Sequence, residues 1–399
     1  MFFQEVEEAQ PDAIFGLLEA FKKDPRTKKV NLSIGVYQDE HLRSEIFHSA
    51  RRAKEFVFEQ DVMGNYLAID GLKEFSEAIG ELLFGSKDWK EQYGRIYSAQ
   101  AVGGTGALCL GAEFASQFVS KKMCIPNYTW PNHRWIFQSA GFEVDLYPYY
   151  CSQKKGFDCE AMLAFLSQQK EKTIVVLHVS CHNPTGCDPT PKEWKEISSI
   201  LKHKRLIPFF DCAYQGLGDG IEQDAESVRF FLKEGHEMIV AYSCSKNFSM
   251  YCQRVGALFI VGENGSIKHR IGSQIKRIIR RFYSNPPAHG AKIVETILKH
   301  SELRHLWEKD LEQVRHRLNL MRASFVQRLL SGARQTDFEC LKQHKGMFSF
   351  IDWDPSHVKA LMDRYGIYLA GNGRMNVSGL TTKNIDYVVH GLVDILTSR

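Results

Sequence analysis

No stretch of this 399-residue sequence approaches the roughly 18 consecutive apolar residues that a membrane-crossing helix requires, so no span is expected. Charge of one sign is not in excess: 51 Lys and Arg against 47 Asp and Glu leave +4, too little over this length to imply a polyanionic partner. The opening segment, MFFQEVEEAQ, is acidic where a secretory or mitochondrial leader would be basic, and the expectation is a cytoplasmic protein. Cysteine pairs at C-x-x-C spacing are missing. The ten cysteines are scattered, with Cys212 and Cys244 inside apolar runs, which reads as reduced core residues rather than a disulfide framework. Cys181, His182 and Cys187 lie near one another, but no second ligand pair at zinc spacing follows, so no metal is expected. Repeats, low-complexity tracts and Pro/Gly/Ser-rich linkers are also absent, and domain boundaries have to come from pattern.

The composition is that of a compact soluble protein, 44% apolar and 25% charged with 12% aromatic residues. A chain this long buries roughly three quarters of its unfolded surface. Between about residue 100 and residue 262, short apolar runs (KKMCI, FEVDLYPY, TIVVLHVS, RLIPFF, EMIVAYS, VGALFIV) alternate with amphipathic stretches (DCEAMLAFLSQQ, PKEWKEISSILKHK). Such alternation of strand and helix patterns indicates an α/β domain with a mostly parallel sheet. The stretch 265–283 places Ile271, Ile275, Ile278 and Phe282 at helical spacing among lysines and arginines. It reads as a solvated or interface helix rather than a nucleic-acid patch, because no aromatic stacking platform accompanies the charge. Beyond residue 300, long amphipathic helices followed by GMFSFIDW and GIYLAGNGRMNVSG suggest a second, α+β domain, joined by the N-terminal 40 or so residues.

In open α/β sheets ligands bind beyond the carboxyl ends of the strands, so polar residues where apolar runs stop are the ones to weigh. Three runs stop in this way: one at Asn183 in HNPTG, one at Asp211 with Tyr214 three residues on, and one at Lys246 in SCSKNF. Singly, they read as a turn former, a helix cap and a snorkelling lysine. Together, an amine, a carboxylate, a phenol and an amide are what a pyridine aldehyde cofactor requires. Only an amine forms an imine with the aldehyde; a carboxylate keeps the pyridine nitrogen protonated, and phenol and amide bond the 3-oxygen. GGTG at 103–106, directly before a helical pattern, is either a tight turn or a seat for phosphate on a helix N-terminus. Cys109 stands where a dinucleotide fingerprint needs Gly or Ala. Ser243, Ser245 and Arg254 beside the lysine favour the phosphate seat.

These segments, with NLSIGVYQDE, NYLAIDG, YTWPNHRWIFQSAGFEV, YSNPPAHGA, GMFSF and GRMNVSG, resemble the class I pyridoxal-phosphate-dependent aminotransferases, aspartate/aromatic subgroup, over nearly the whole chain. The resemblance implies fold type I: a large domain with a mostly parallel seven-stranded sheet flanked by helices (residues 46–313), a smaller α+β domain (13–45 and 314–399) and an N-terminal arm (1–12). It implies pyridoxal 5'-phosphate attached to Lys246, which also shuttles the substrate proton; Asp211 on the pyridinium, backed by His133; Asn183 and Tyr214 on the 3-oxygen; and Trp130 stacked on the ring. Phosphate is expected on Gly104, Thr105, Ser243, Ser245, Arg254 and Tyr66, the last from the other subunit of a homodimer with shared active sites. Arg374 is expected to clamp the substrate α-carboxylate as a fork, with Gly35 and Asn183 helping and Phe348 lining the site. In RRFYSNPP the family's position for the arginine that reaches the partner's substrate falls on Arg280, with Arg281 where a small residue is usual.

The activity so implied is reversible, ping-pong transfer of an amino group between L-aspartate and 2-oxoglutarate. Rival readings are an aromatic-amino-acid aminotransferase, a lyase or decarboxylase of the same fold, and a non-catalytic nucleic-acid-binding descendant. One segment departs from the pattern: HLRSEIF follows GVYQDE, with Leu42 at an expected glycine and Glu45 at an expected proline, in the loop that closes over substrate in the family.

Overall fold

A computed structural model describes residues 2–8, 13–60, 64–333, 336–371 and 373–397. The expected arm, residues 1–12, therefore falls partly outside the described residues. The chain divides into two compact units. Unit 1 comprises residues 1–44, 320–342 and 347–399, and unit 2 comprises 45–319 and 343–346.

Unit 2 is built on seven strands: β1 (Ile96–Val102), β2 (Lys122–Pro126), β3 (Glu143–Tyr147), β4 (Ile174–His178), β5 (Ile207–Cys212), β6 (Met238–Ser243) and β7 (Val255–Val261). They lie in the order β1-β7-β6-β5-β4-β2-β3. Only β7 runs against the others, antiparallel to both β1 and β6, while β6, β5, β4, β2 and β3 pair in parallel. The fold type implied by the resemblance is the one observed. Parallel strands covered on both faces read as continuous apolar runs; accordingly every residue of β4, β6 and β7 is buried.

The helices that matter here are α1 (Gly103–Phe118), α2 (Asn132–Ser139), α3 (Gly265–Phe282) and α4 (Ser301–Ala333). Asn264 caps α3 by accepting from the Ile267 N–H at 3.1 Å. The helix buries Ile271, Ile275, Ile278 and Ile279 in the core against α1 and β1. The apolar stripe thus differs at its end from the expected one. Ile279 completes it, and Phe282, the last helical residue, is 46% exposed with the Arg281 guanidinium over its ring. The basic residues on the outer face are engaged locally, Lys276 with Asp70 at 3.1 Å and Arg281 with Glu113.

Unit 1 carries β8 (Phe348–Phe350) antiparallel to β9 (Arg374–Asn376), and a parallel pair between Val30–Asn31 and Ile367–Tyr368. Among the described residues, no helix is long and apolar enough to cross a membrane.

Candidate active site

Parallel pairing aligns the ends of β4, β5 and β6. His178 is opposite Asp211, Asp211 is opposite Ala241, and Cys212 is opposite Tyr242. The loops leaving these ends carry Asn183, Tyr214 and Lys246, so all three emerge on the carboxyl edge of the sheet. Asn183, Asp211, Tyr214, Ser243 and Ser245 are buried. Lys246 is half-buried, with its Nζ 5.1 Å from the centre of the Tyr214 ring. The amine, phenol, carboxylate and amide expected from the sequence are delivered to one edge of one sheet.

Asp211 is held from below. His133, in the first turn of α2, places Nε2 3.0 Å from Asp211 Oδ2, and its Nδ1 is 2.8 Å from Thr129 Oγ1. Burial alone would push the Asp211 carboxyl up. The hydrogen bond to His133 and the proximity of His133, His178 and Lys246 outweigh it and hold the group below the usual carboxylate range. Asp211 is therefore ionised at neutral pH, as a partner for a pyridinium must be. Trp130 is half-buried, 5.5 Å from the His133 ring and edge-on to it.

Sequence reasoning missed what lies behind this pair. His178 is 5.3 Å from His133 and 4.3 Å from His182, ring centre to ring centre, and His182 stacks on Tyr149 at 3.8 Å. Among the described residues, neither ring nitrogen of His178 meets a hydrogen-bonding partner. Burial first, then the neighbouring His133, push His178 down to about 3 against the pull of Asp211. Burial also pushes His182 well below its ordinary value. Both rings are neutral, and His178 is the one that lies near the carboxylate. His133, His178 and Asp211 bring ligand-capable atoms within 4.8 Å of one another. The available signal was His178 itself, a histidine ending a run of four apolar residues.

The glycine-rich turn brings the first turn of α1 against Ser243 and Arg254. Gly103 opens α1 at φ +70°. A Cβ on Gly103 would stand 2.5 Å from Arg254 Nη2, and one on Gly104 would stand 2.7 Å from Ser243 Cβ. Glycine thus lets the helix N-terminus, with its unpaired N–H groups, approach the end of β6 and the guanidinium. Arg254 Nη1 donates to Ser245 Oγ at 3.3 Å and to the Tyr251 carbonyl at 3.1 Å, and the Ser245 N–H donates to Ser243 Oγ at 3.3 Å. Thr105, one residue further along α1, is half-buried.

The remaining expected residues are carried by other elements. In unit 1, Arg374 is buried on β9; its Nη2 donates to the Ser33 carbonyl at 2.6 Å, and its guanidinium lies 4.5 Å from the centre of the Phe348 ring. Gly35 follows two residues after Ser33. On unit 2, Tyr66 is 92% exposed, and Arg280 is exposed with Nη1 donating to Ser284 Oγ. The unusual loop in unit 1 is a turn caged by Asp39, whose Oδ1 accepts the His41 and Arg43 N–H groups, each at 2.8 Å. Leu42 holds φ +59° there, so the position keeps the left-handed backbone that a glycine would adopt without strain.

The family model for class I and II aminotransferases matches residues 27–392. The chain belongs to this family. It is 41% identical over 395 residues to the aspartate aminotransferase of Haemophilus influenzae, covering 99% of this chain and 100% of that protein. It is also 38% identical over 396 residues to the tyrosine aminotransferase of Klebsiella pneumoniae, again covering 99% and 100%. Among solved structures, the aromatic-amino-acid aminotransferase from Burkholderia pseudomallei, covalently bound to pyridoxal phosphate, is similar with a TM-score of 0.96 and 40% identity, covering both chains fully.

Proposed function

We propose that the chain is an aspartate aminotransferase that uses pyridoxal 5'-phosphate to move an amino group reversibly between L-aspartate and 2-oxoglutarate. The observation that carries this reading is the convergence of Lys246, Tyr214, the Asp211–His133 pair and the seat formed by α1, Ser245 and Arg254 at one sheet edge. Full-length likeness at 41% identity to an aspartate aminotransferase supports the substrate. The residues fit the cofactor: an ionised acid suits a protonated ring nitrogen, and a helix N-terminus opened by glycines suits a phosphate.

When bound, pyridoxal phosphate supplies an electron sink that acidifies the substrate Cα–H bond. Lys246 Nζ would hold the cofactor and would then remove and return the Cα proton. Asp211, backed by His133, would keep the ring nitrogen protonated; Asn183 and Tyr214 would bond the 3-oxygen, and Trp130 would lie against the ring. Gly104, Thr105, Ser243, Ser245 and Arg254 would hold the phosphate. Arg374 takes the substrate α-carboxylate as a bidentate fork, with Gly35, Asn183 and Phe348 beside it. Tyr66 and Arg280, both exposed, serve the site of a second copy, Tyr66 at the phosphate and Arg280 at the distal carboxylate. Phe2, Phe3 and Phe58 are exposed as well, which supports a homodimer. The working compartment is the cytoplasm.

The test is a visible absorption spectrum of the protein reconstituted with pyridoxal phosphate. A pH-dependent band that aspartate bleaches, and that Lys246→Ala lacks, is the expected result. A second reading, an aromatic aminotransferase, draws on the tyrosine and aromatic enzymes among the similar proteins. Bleaching by tyrosine but by neither aspartate nor glutamate would favour it and sink the first.

A further inference from the structure

Two loops carry the groups assigned above to the cofactor's 3-oxygen, and each is organised by an aspartate outside the site. Asp188 spreads its carboxylate across the turn before Asn183: Oδ2 accepts the Cys181 N–H at 2.7 Å and Oδ1 the His182 N–H at 2.8 Å. Asp224 does the same after Tyr214, with Oδ2 accepting from Gly216 at 2.8 Å and Gly218 at 2.9 Å, and Oδ1 from Asp219 at 2.8 Å. The loops also interlock through Cys181. A Cβ on Gly218 would stand 3.0 Å from its Sγ, and one on Gly346 would stand 2.5 Å from its Cβ.

The segment 343–346 ties the two loops to each other. The Lys345 N–H donates to the Gly186 carbonyl at 2.8 Å, in the loop of Asn183. Its Nζ is 2.5 Å from Asp219 Oδ2, in the loop of Tyr214. Lys345 also faces Asp188, favouring its charged form against burial and the like charge of Asp224. One residue thus holds one loop by its backbone and the other by its side chain, while its charge faces Asp219 and Asp188.

We propose that Lys345 is a positioning residue for the reaction, a clasp that, through Asp219, Asp188 and Asp224, fixes the spacing between Asn183 and Tyr214. The inference rests on the assignment of those two groups to the 3-oxygen. Lys345 touches neither substrate nor cofactor. It acts by keeping two donors at the separation that one oxygen atom demands, and so helps to hold down the basicity of the neighbouring lysine-linked nitrogen.

The experiment compares Lys345→Met, Lys345→Arg, Asp219→Asn and Tyr214→Phe as holoenzymes. Three quantities are read: the pH midpoint of the visible band, the dissociation constant of pyridoxal phosphate, and the melting temperature of the cofactor-free protein. The Lys345–Asp219 pair is more than a third exposed on both sides, so solvent screens it and the effect is modest. Lys345→Met and Asp219→Asn are expected to raise the midpoint by about 0.3 to 0.7 unit, a two- to fivefold change in the equilibrium. Cofactor binding should weaken by a similar factor, and Lys345→Arg should restore both. Should Lys345→Met fail to fold, Asp219→Asn reads the same contact from the surface. A purely structural role would lower the melting temperature and leave the midpoint alone, and that result overturns the clasp. Tyr214→Phe separates the two claims. If its midpoint also stays put, the 3-oxygen assignment has failed; if it moves while the Lys345 and Asp219 variants do not, the clasp alone has failed.

Discussion

His133 Nε2 and Asp211 Oδ2 stand 3.0 Å apart, both buried, at the carboxyl end of β5. The hydrogen bond decides the charge of the acid, because burial acts in the opposite direction. With the Asp211 pKa depressed on folding, its contribution to stability is present above the ordinary value of 3.8 and is lost only as pH falls through the lower folded value. Replacing His133 by Phe keeps a ring but removes the donor. A buried carboxylate left without that partner costs about 1–3 kcal/mol, and its pKa must rise. We expect His133→Phe to lower the denaturation midpoint and to shift the acid limb of the kcat profile to higher pH. An unshifted acid limb would mean that His133 does not govern Asp211.

Asp188 behaves in the opposite sense. Burial raises it from 3.8 to about 6, with Asp224 adding to the rise and Lys345 and the Cys181 and His182 amides opposing it. Between about pH 4 and 6 the folded chain therefore binds more protons than the unfolded chain, and stability falls as pH rises through that window. The full effect is on the order of 2–3 kcal/mol at neutral pH. In Asp188→Asn this part of the slope should vanish, whatever constant penalty the amide brings by facing a backbone N–H. Urea denaturation at pH 4.5 and pH 7 on both proteins checks it; identical pH dependence would refute the assignment.

Much of this is legible in the amino-acid sequence. Continuous apolar runs marked β4, β6 and β7, because strands covered on both faces leave no polar alternation to read. Asp211 and Lys246 stood out where such runs stopped. β1 did not stand out, since Ser98 and Gln100 interrupt it. Gln100 is nonetheless buried, accepting the Leu72 N–H at 3.0 Å and donating to the Pro287 carbonyl at 2.7 Å. Those partners are remote in sequence, so its polarity reads as surface until the fold is known. The imidazoles of His178 and His182, and the span from Lys345 to Asp219, were hidden for the same reason. His178 meets His133 across 45 residues of sequence, and Lys345 meets Asp219 across 126.

Arg280 and Arg281 are adjacent but differently engaged. Arg281 reaches Glu113 of its own chain, whereas Arg280 donates to the Ser284 hydroxyl one turn on. Removing a guanidinium that forks onto a carboxylate forfeits charge-assisted hydrogen bonds worth about 1.5–3 kcal/mol each. Arg280→Ala should therefore cut kcat/KM for aspartate by about 10² to 10³-fold, and for phenylalanine far less. Arg281→Ala should change neither by more than about twofold, as expected for an exposed pair. Initial rates on the two substrates decide it, and equal losses for both would remove Arg280 from the distal-carboxylate role.

Gly104 and Gly106 open the same helix but differ in the space around them. A Cβ at Gly104 would stand 2.7 Å from Ser243 Cβ and 3.1 Å from its Oγ, whereas at Gly106 the nearest atom is Val102 Cβ at 3.4 Å. Ser243 ends a buried central strand and cannot retreat without disturbing Ser245, whose N–H it accepts at 3.3 Å. Gly104→Ala should therefore push the helix N-terminus off its seat, costing about 1–3 kcal/mol of stability. Pyridoxal phosphate should bind at least about tenfold more weakly. Gly106→Ala meets only ordinary contact and replaces a poor helix former, so stability should hold or rise by up to about 1 kcal/mol. Melting temperatures of the cofactor-free proteins, read beside cofactor titrations with and without inorganic phosphate, separate the two effects. If Gly104→Ala bound pyridoxal phosphate as tightly as the parent, the phosphate would have to rest elsewhere than on the first turn of α1.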